Sequence, residues 1–132
     1  MSNNFKVTSK LYDYDINIGL NLISLVITDD MFILTDKRFE NYFSKLSKNV
    51  ITVLPQENLK SLETCELILN KMVNLQMNRK STLVAVGGGI VQDLATMIAS
   101  IYMRGIRWVY FPTTLMSMMD SCIGGKSSIN VG

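Results

Sequence analysis

Glycines, threonines and charged side chains interrupt an otherwise apolar stretch between residues 87 and 126. Three glycines, at positions 87 to 89, directly follow the apolar residues 83–86. A strand that ends in glycines and continues into a helix exposes backbone N–H groups at the positive end of that helix, where a phosphate binds well. The stretch therefore predicts a nucleotide site that merges into an anion-binding site.

The spacing of these glycines gives an imperfect dinucleotide fingerprint, Gly87-x-Gly89-x-x-Gln92. The third position holds glutamine, where a glycine normally lets the helix approach the strand closely. Taken alone, the pattern fits a nucleotide site and a tight strand-to-helix turn equally well.

Three charged residues lie further along the same stretch. Lys126 follows a pair of glycines, which would let a ligand approach a mobile positive charge. Asp120 lies in a run of methionines, where a half-buried acid without a function would be unfavourable. Arg104 lies at a predicted helix C-terminus, where a cation is favourable even without a function.

Other polar positions have two interpretations each. Asp93 is either a favourable charge near a helix N-terminus, worth ~0.3–1 kcal/mol, or the partner of a ribose or amide group. Asp36 either caps the helix that follows it or binds a ribose hydroxyl. Thr113 and Thr114 are most simply interpreted as a helix cap.

The composition is that of a globular chain. With 132 residues, 48% hydrophobic and 18% charged, the sequence predicts one domain. A net charge of +2 argues against a nucleic-acid or anionic-membrane partner. Apolar runs fall short of the ~20 residues that span a bilayer. Because the N-terminus lacks an apolar signal core, we expect a cytoplasmic location.

Two residue types limit the chemistry of the chain. The sequence contains no histidine, which excludes His-based triads and His-ligated zinc within it. Cys65 and Cys122 belong to no Cys-x-x-Cys pair, so we expect both to be reduced thiols.

Apolar periodicity predicts strands that alternate with helices. The predicted strands cover residues 12–18, 31–35, 50–54, 82–86 and 106–111. The first two predicted helices cover residues 39–46 and 61–76, and the third follows the glycines and ends at Gly105. Their apolar stripes comprise Phe39, Tyr42, Phe43 and Leu46 in the first helix and Leu62, Cys65, Leu69, Met72 and Val73 in the second. Residues 20–27 fit either a helix or a strand.

This alternation implies right-handed crossovers and a parallel sheet. Ligands of such sheets bind at the carboxyl ends of the strands. Asp36, Gly87 and Thr113 all follow predicted strands, so we expect them to share one edge of the sheet.

The same motifs resemble the sugar-phosphate cyclase superfamily, and most closely its dehydroquinate synthase family. The matching elements are Gly87-Gly88-Gly89 with Asp93, Tyr102-Met103-Arg104-Gly105, Pro112-Thr113-Thr114-Leu115, and Asp120-Ser121-Cys122-Ile123-Gly124-Gly125-Lys126 with Asn130. Upstream, Glu57-x-x-Lys60-Ser61-Leu62 fits the family's acidic-and-lysine loop, and residues 32–36 fit its first nucleotide-binding strand.

The resemblance implies an α/β fold, a Rossmann-like parallel sheet with flanking helices. It also implies an NAD site made of Asp36, Glu57, Lys60, Gly88, Gly89, Ile90, Asp93, Thr113 and Thr114. Arg104, Asp120 and Lys126 would meet the carboxylate, hydroxyl and phosphate groups of a sugar-phosphate substrate.

The implied reaction converts 3-deoxy-arabino-heptulosonate 7-phosphate to 3-dehydroquinate, a shikimate-pathway step toward aromatic amino acids. It eliminates phosphate after a transient oxidation by NAD. A divalent metal, zinc or cobalt, would be held in the complete enzyme by a glutamate and two histidines of a helical C-terminal domain. That domain is absent from this chain, so we expect residues 1–132 to form an NAD-binding N-terminal domain, incomplete at its C-terminal end. The full-length enzyme is expected to be a homodimer, and this chain alone is expected to be inactive.

Two departures from the family pattern concern the cofactor site. Gln92 replaces the usual glycine, and the loop at residues 55–57 is one residue shorter than the usual form. The alternatives are another sugar-phosphate cyclase, a relative of the iron-dependent alcohol dehydrogenases, and a non-catalytic NAD-binding fragment. The dehydrogenases share the Gly-Gly-Gly and Pro-Thr-Thr patterns but lack the spacing from Asp120 to Lys126.

Overall fold

The computed structural model describes residues 3–10, 13–19, 22–23, 27–28, 31–123 and 126–131. Its first two strands, β1 (Asn3–Val7) and β2 (Tyr14–Ile18), form an antiparallel pair. The main sheet contains β3 (Phe32–Asp36), β4 (Val50–Val53), β5 (Thr82–Gly87) and β6 (Arg107–Pro112). These four strands are parallel and lie in the order β4-β3-β5-β6. The predicted α/β fold with a parallel sheet is confirmed.

The α-helices that accompany the sheet include α1 (Glu40–Phe43), α2 (Leu62–Asn74) and α3 (Gly89–Ile101), and residues 22–23 are also helical. Short 3₁₀ turns cover Lys37–Phe39, Glu57–Leu59 and Tyr102–Arg104, and a π-helical turn covers Ser117–Ser121.

The central strands β3 and β5 are buried along almost their whole length because helices cover both faces of the sheet. On one face, Leu34 and Ala85 pack against Ile68 of α2 and Leu94 of α3, all of them buried. On the other face, a smaller cluster is built around Ile33, Val84, Val86 and Phe43, with Phe43 contributed by α1. The larger cluster holds the first turn of α3 firmly against the end of β5, which positions the glycines.

The ends of α2 and α3 follow local sequence signals. Ser61 caps α2 by accepting a hydrogen bond from the Thr64 backbone N–H at 3.3 Å. The chain leaves α3 through Gly105, whose φ of 106° favours glycine. The Tyr102 hydroxyl donates to the Met77 carbonyl at 2.7 Å and so ties the end of α3 to the turn that follows α2.

The first predicted helix is wrong in length and in its apolar stripe. The α-helical part ends at Phe43, and residues 44–46 form a turn. Tyr42 and Leu46 are 55% and 44% exposed, so Phe43 alone of this helix is fully buried. The turn returns the chain to β4 within a few residues, which leaves no room for a second helical turn along the sheet.

In α2 the predicted apolar stripe is right for Cys65, Leu69 and Met72 and wrong for Leu62 and Val73. Leu62 and Val73 are 43% and 59% exposed, whereas Cys65, Ile68 and Met72 are buried. Both faces of this helix carry apolar residues, and the sheet selects the face that contacts Leu34 and Ile51 in the core. The ambiguous segment at residues 20–27 lies largely outside the described residues. Within the described ranges no helix is long and apolar enough to cross a membrane.

Candidate functional site

The N-terminus of α3 opens into a cleft of about 400 Å³ that Gly88, Gly89 and Ile90 line. Gly88 is the N-cap residue, and no side chain caps the helix or places an acid in its first turn. The first intrahelical bond joins the Gln92 N–H to the Gly88 carbonyl at 3.1 Å. The N–H groups before it are the unpaired donors of a helix start, and they suit an anion such as a pyrophosphate.

Close packing explains why glycines occupy this turn. A Cβ at Gly87 would lie 2.5 Å from Cγ2 of Val91, and a Cβ at Gly88 would lie 3.1 Å from Cγ2 of Thr114. The Gly87 carbonyl accepts hydrogen bonds from the Thr113 N–H at 2.9 Å and from the Tyr110 hydroxyl at 3.0 Å. These bonds join the ends of β5 and β6 and place the two threonines beside the cleft.

Asp36 lies at the end of β3 on the same cleft, together with Arg38. The Arg38 backbone N–H donates to Asp36 Oδ1 at 2.9 Å, and Arg38 Nε donates to Oδ2 at 2.9 Å. Arg38 Nη2 also donates to Oδ2. Burial raises the pKa of Asp36, but these hydrogen bonds and the charge of Arg38 outweigh burial and leave the pKa below its usual value. The capping interpretation of Asp36 is thus confirmed for the 3₁₀ turn Lys37–Phe39.

A second cleft, of about 360 Å³, is lined by Asp93 of α3. Its lining includes Asp93, Asp120 and Lys126, together with the hydroxyl-bearing residues Ser121, Ser127 and Ser128. Two carboxylates and one ammonium group therefore meet around a space large enough for a small polar molecule.

Lys60 ties α3 to the 3₁₀ turn Glu57–Leu59. Its side chain is 10% exposed, and Nζ lies 2.8 Å from Glu57 Oε1 and 3.1 Å from Asp93 Oδ2. Nζ also donates to Ser128 Oγ at 3.1 Å. The hydrogen bond to Glu57, more than the one to Asp93, raises the pKa of Lys60 against the effect of burial. The hydrogen bond from Lys60 likewise lowers the pKa of Glu57. Asp93 is thus an ion-pair partner and more than a charge near a helix end.

Residues 126–130, here called the strap, cross from α3 to the turn at residues 57–60. The strap is tied to α3 by Gln92 Nε2, which donates to the Lys126 carbonyl at 3.3 Å, and by the Ser128 N–H, which donates to Asp93 Oδ1 at 3.3 Å. At the other end the Asn130 N–H donates to the Lys60 carbonyl at 2.8 Å, and Asn130 Nδ2 donates to the Glu57 carbonyl at 2.9 Å.

Gln92 fills the position where the fingerprint has glycine, and its side chain is buried. Its Nε2 holds the strap, while its Oε1 finds no hydrogen-bond partner in the described part of the chain. Glutamine at this position therefore has a structural role, because its side chain ties α3 to the strap.

Comparison with known proteins places this arrangement in a family. The sequence pattern described as "3-dehydroquinate synthase N-terminal" matches residues 50–132. The chain belongs to the 3-dehydroquinate synthase family. Its sequence is 35% identical over 145 residues to the 3-dehydroquinate synthase of Methylacidiphilum infernorum, covering 97% of this chain and 40% of that protein. It is 47% identical over 81 residues to the 3-dehydroquinate synthase of a Sulfurovum species, covering 61% of this chain and 23% of that protein.

Solved structures support the same fold. A 2-deoxy-scyllo-inosose synthase complexed with carbaglucose-6-phosphate, NAD⁺ and Co²⁺ matches with a TM-score of 0.80 and 23% identity, over 98% of this chain and 40% of that one. A 2-epi-5-epi-valiolone synthase of Streptomyces hygroscopicus, with NAD⁺ and Zn²⁺ bound, matches with a TM-score of 0.69 and 25% identity, over 76% of this chain and 31% of that one. The chain thus spans about two fifths, or less, of the length of these proteins.

Most of the site residues predicted from the sequence line the two clefts. Asp36, Gly88, Gly89, Ile90 and Thr114 line the first cleft, and Asp93, Asp120 and Lys126 line the second. Glu57 and Lys60 line neither cleft but pair with each other, and Lys60 also pairs with Asp93 of the second cleft. Thr113 is held at the end of β6 by its hydrogen bond to Gly87. Their ligand-binding roles remain predictions, and the glycine pair 124–125 lies outside the described residues.

Arg104 is not brought to either cleft. It is exposed beyond the C-terminal end of α3. The 13 residues of α3 separate it from the glycine N-terminus of that helix, a distance of about 20 Å. Its φ of 68° lies in the left-handed region, which aims the chain into Gly105. Substrate binding by Arg104 stays a prediction, because Arg104 lines neither cleft in this chain.

Sequence reasoning missed Arg38 and the tethering roles of Gln92, Ser128 and Asn130. A basic residue two positions after a strand-end aspartate was the available signal for Arg38. The strap contacts carried no local signal, because their partners lie 34 to 73 residues apart.

The metal of the solved relatives has no ligand set in the described residues of this chain. No group of three or more Cys, Asp or Glu side chains lies close enough there to hold an ion, and the sequence has no histidine. The residues present therefore do not fit a zinc or cobalt centre.

Proposed function

We propose that this chain is the NAD-holding part of a 3-dehydroquinate synthase. The complete enzyme would convert 3-deoxy-arabino-heptulosonate 7-phosphate to 3-dehydroquinate with elimination of phosphate. The observation that carries this assignment is the uncapped glycine N-terminus of α3, which shares one cleft with the strand-end residue Asp36. Family membership and the NAD⁺ bound in the two solved cyclases support it.

The donor set of the first cleft fits NAD. The N–H groups of Gly89 and Ile90 would bind the pyrophosphate, which needs a close approach to bare backbone. Thr114 and Asp36, the latter through its partner Arg38, line the same cleft and would face the ribose and adenosine half. NAD, when bound, would accept a hydride from a ring carbon of the substrate, which acidifies the neighbouring C–H bond.

The second cleft is the proposed place of the substrate. Lys126 supplies a positive charge for a phosphate or carboxylate, and Asp120 can accept a hydrogen bond from a sugar hydroxyl. Asp93 lines this cleft, is paired with Lys60, and would orient the nicotinamide half relative to the substrate. Arg104 lies too far away to join them, so in the homodimer proposed for the complete enzyme it would serve a second copy of the chain.

The ion of the complete enzyme would be held by residues outside this chain, and none of the roles above passes through it. We therefore expect no phosphate release from the heptulosonate phosphate by this chain alone with NAD⁺ and zinc or cobalt. The absence of a ligand set in the described residues also favours the second candidate, a non-catalytic NAD-binding fragment. Metal-dependent turnover above the blank would refute both expectations.

The NAD role itself is tested by Gly89→Asp. An acid at the first position of α3 is favourable for the helix by ~0.3–1 kcal/mol, but it places a negative charge where the pyrophosphate would bind. We expect isothermal calorimetry to show NAD⁺ affinity reduced by at least about tenfold, with an unchanged or raised melting temperature. Ser100→Asp adds the same charge at the exposed far end of α3 and should leave NAD⁺ affinity unchanged. A folded wild-type chain that does not bind NAD⁺ at millimolar concentration would refute the assignment.

A further inference from the structure

The feature that distinguishes the first cleft is a carboxylate covered by an arginine. The side chain of Asp36 has no exposed surface, whereas that of Arg38 is 68% exposed. Both residues contribute to the wall of the cleft. A ligand that enters the cleft therefore meets the guanidinium group before it can reach the carboxylate.

Hydrogen bonding reinforces this cover. A carboxylate can accept about four hydrogen bonds, and Arg38 already supplies three of them, one from its backbone and two from its side chain. A guanidinium has five N–H donors. With Nε and one Nη2 hydrogen used on Asp36, three donors remain for a ligand.

This arrangement bears on how a dinucleotide site distinguishes its two natural ligands. Discrimination in favour of NAD rests on a carboxylate that accepts a hydrogen bond from the ribose 2′-hydroxyl and repels a 2′-phosphate, whereas a nearby arginine accommodates that phosphate. Here the carboxylate is charge-compensated, and free guanidinium donors stand in its place. The nearby N-terminus of α3 adds a partial positive charge.

We infer that Arg38 is a specificity-determining residue that lets this cleft accept a dinucleotide with a 2′-phosphate, so that the chain binds NADP⁺ as well as NAD⁺. This inference rests on the NAD role proposed above. Arg38 meets the 2′-phosphate with a two-pronged set of N–H donors, and Asp36 holds the guanidinium in place. The neighbouring Lys37 has a separate partner, since its ammonium pairs with Glu40.

The test measures NAD⁺ and NADP⁺ binding to the 132-residue chain by calorimetry at fixed ionic strength. In the wild type we expect the two dissociation constants to agree within about tenfold. Arg38→Gln should weaken NADP⁺ binding by about tenfold to a hundredfold, the loss of one or two charge-assisted hydrogen bonds, and change NAD⁺ binding less than threefold. Lys37→Gln removes the same charge one residue away and should leave the ratio of the two constants unchanged.

The possible outcomes distinguish a failure of the proposed NAD role from a failure of the proposed role of Arg38. If neither nucleotide binds the folded chain, the NAD role fails and the inference fails with it. If NAD⁺ binds but NADP⁺ is more than a hundredfold weaker in the wild type, only the role of Arg38 is overturned. An equal effect of Arg38→Gln and Lys37→Gln on NADP⁺ also overturns it, because general charge would then explain the binding. If Arg38→Gln does not fold, Arg38→Lys serves instead, and it should weaken NADP⁺ more than NAD⁺ because lysine lacks the paired donors.

Discussion

The two ion pairs of Lys60 should contribute unequally to stability, and the longer one should be the stronger. Lys60 Nζ is 2.8 Å from Glu57 and 3.1 Å from Asp93. The Glu57 side chain is 65% exposed, however, and that of Asp93 only 17%. Solvent screens the first pair strongly, whereas the second lies in a less polarisable environment where the same charges interact more strongly.

The magnitude follows from the partners that a substitution leaves behind. A hydrogen bond between charged groups contributes about 1.5–3 kcal/mol, and breaking a fully buried pair costs about 3–5 kcal/mol. Asp93 retains the Ser128 N–H and some solvent contact. We therefore expect Lys60→Met to lower the free energy of unfolding by about 2–3 kcal/mol, and the coupling of Lys60 to Asp93 to be about 1.5–3 kcal/mol.

Two double-mutant cycles, measured by urea denaturation and circular dichroism, test this ranking. One combines Lys60→Met with Asp93→Asn, and the other combines Lys60→Met with Glu57→Gln. The Asp93 cycle should give the larger coupling energy, and the Glu57 coupling should fade as salt is added. A Glu57 coupling equal to or above that of Asp93 would show that distance outweighs burial here and would refute the reasoning.

Two further predictions concern the first cleft. Gly87→Ala should destabilise the chain by about 1–3 kcal/mol in urea denaturation, because the new Cβ would lie 2.5 Å from the buried, stiff side chain of Val91. Gly88→Ala should destabilise it less, because its Cβ would face the exposed Thr114. The reverse order would contradict the packing described. The pKa of Asp36 lies below its ordinary value of 3.8, so its contribution to stability is present above that pH and is lost as the pH falls through the lowered folded-state pKa. Without the Arg38 guanidinium, burial is left to raise that pKa, so the stability deficit of Arg38→Gln at pH 7 should shrink below pH 4; a deficit independent of pH would argue against the ion pair.

Signals in the local sequence predicted the strands of the sheet and the glycine N-terminus of α3. Continuous apolar residues such as 83–86 predict a buried strand wherever they occur, and three glycines before a helix indicate a close approach of backbone. Both features depend on neighbours in sequence, which is why β5 and α3 could be placed before the structure was known.

Features that depend on the tertiary fold could not be predicted in the same way. Which face of α2 is buried is decided by the sheet, since Leu62 and Ile68 are equally apolar but only Ile68 contacts the core. The Lys60–Asp93 ion pair joins residues 33 positions apart and required the relative placement of two elements. Arg38 is close to Asp36 in sequence, yet its cover of the carboxylate became visible only with the cleft.

The strap has a consequence for the order in which the molecule opens and closes. Its residues are mostly exposed, and Ile129 is its only apolar contact with the core, so hydrogen bonds across 34 to 73 residues hold it in place. Such a segment opens in local fluctuations that leave the sheet intact, and its amide hydrogens exchange with solvent at a lower free energy than those of β5. We therefore expect the glycine N-terminus of α3 to form with the core, and the second cleft to be completed only when the strap docks on α3 and on the turn at residues 57–60.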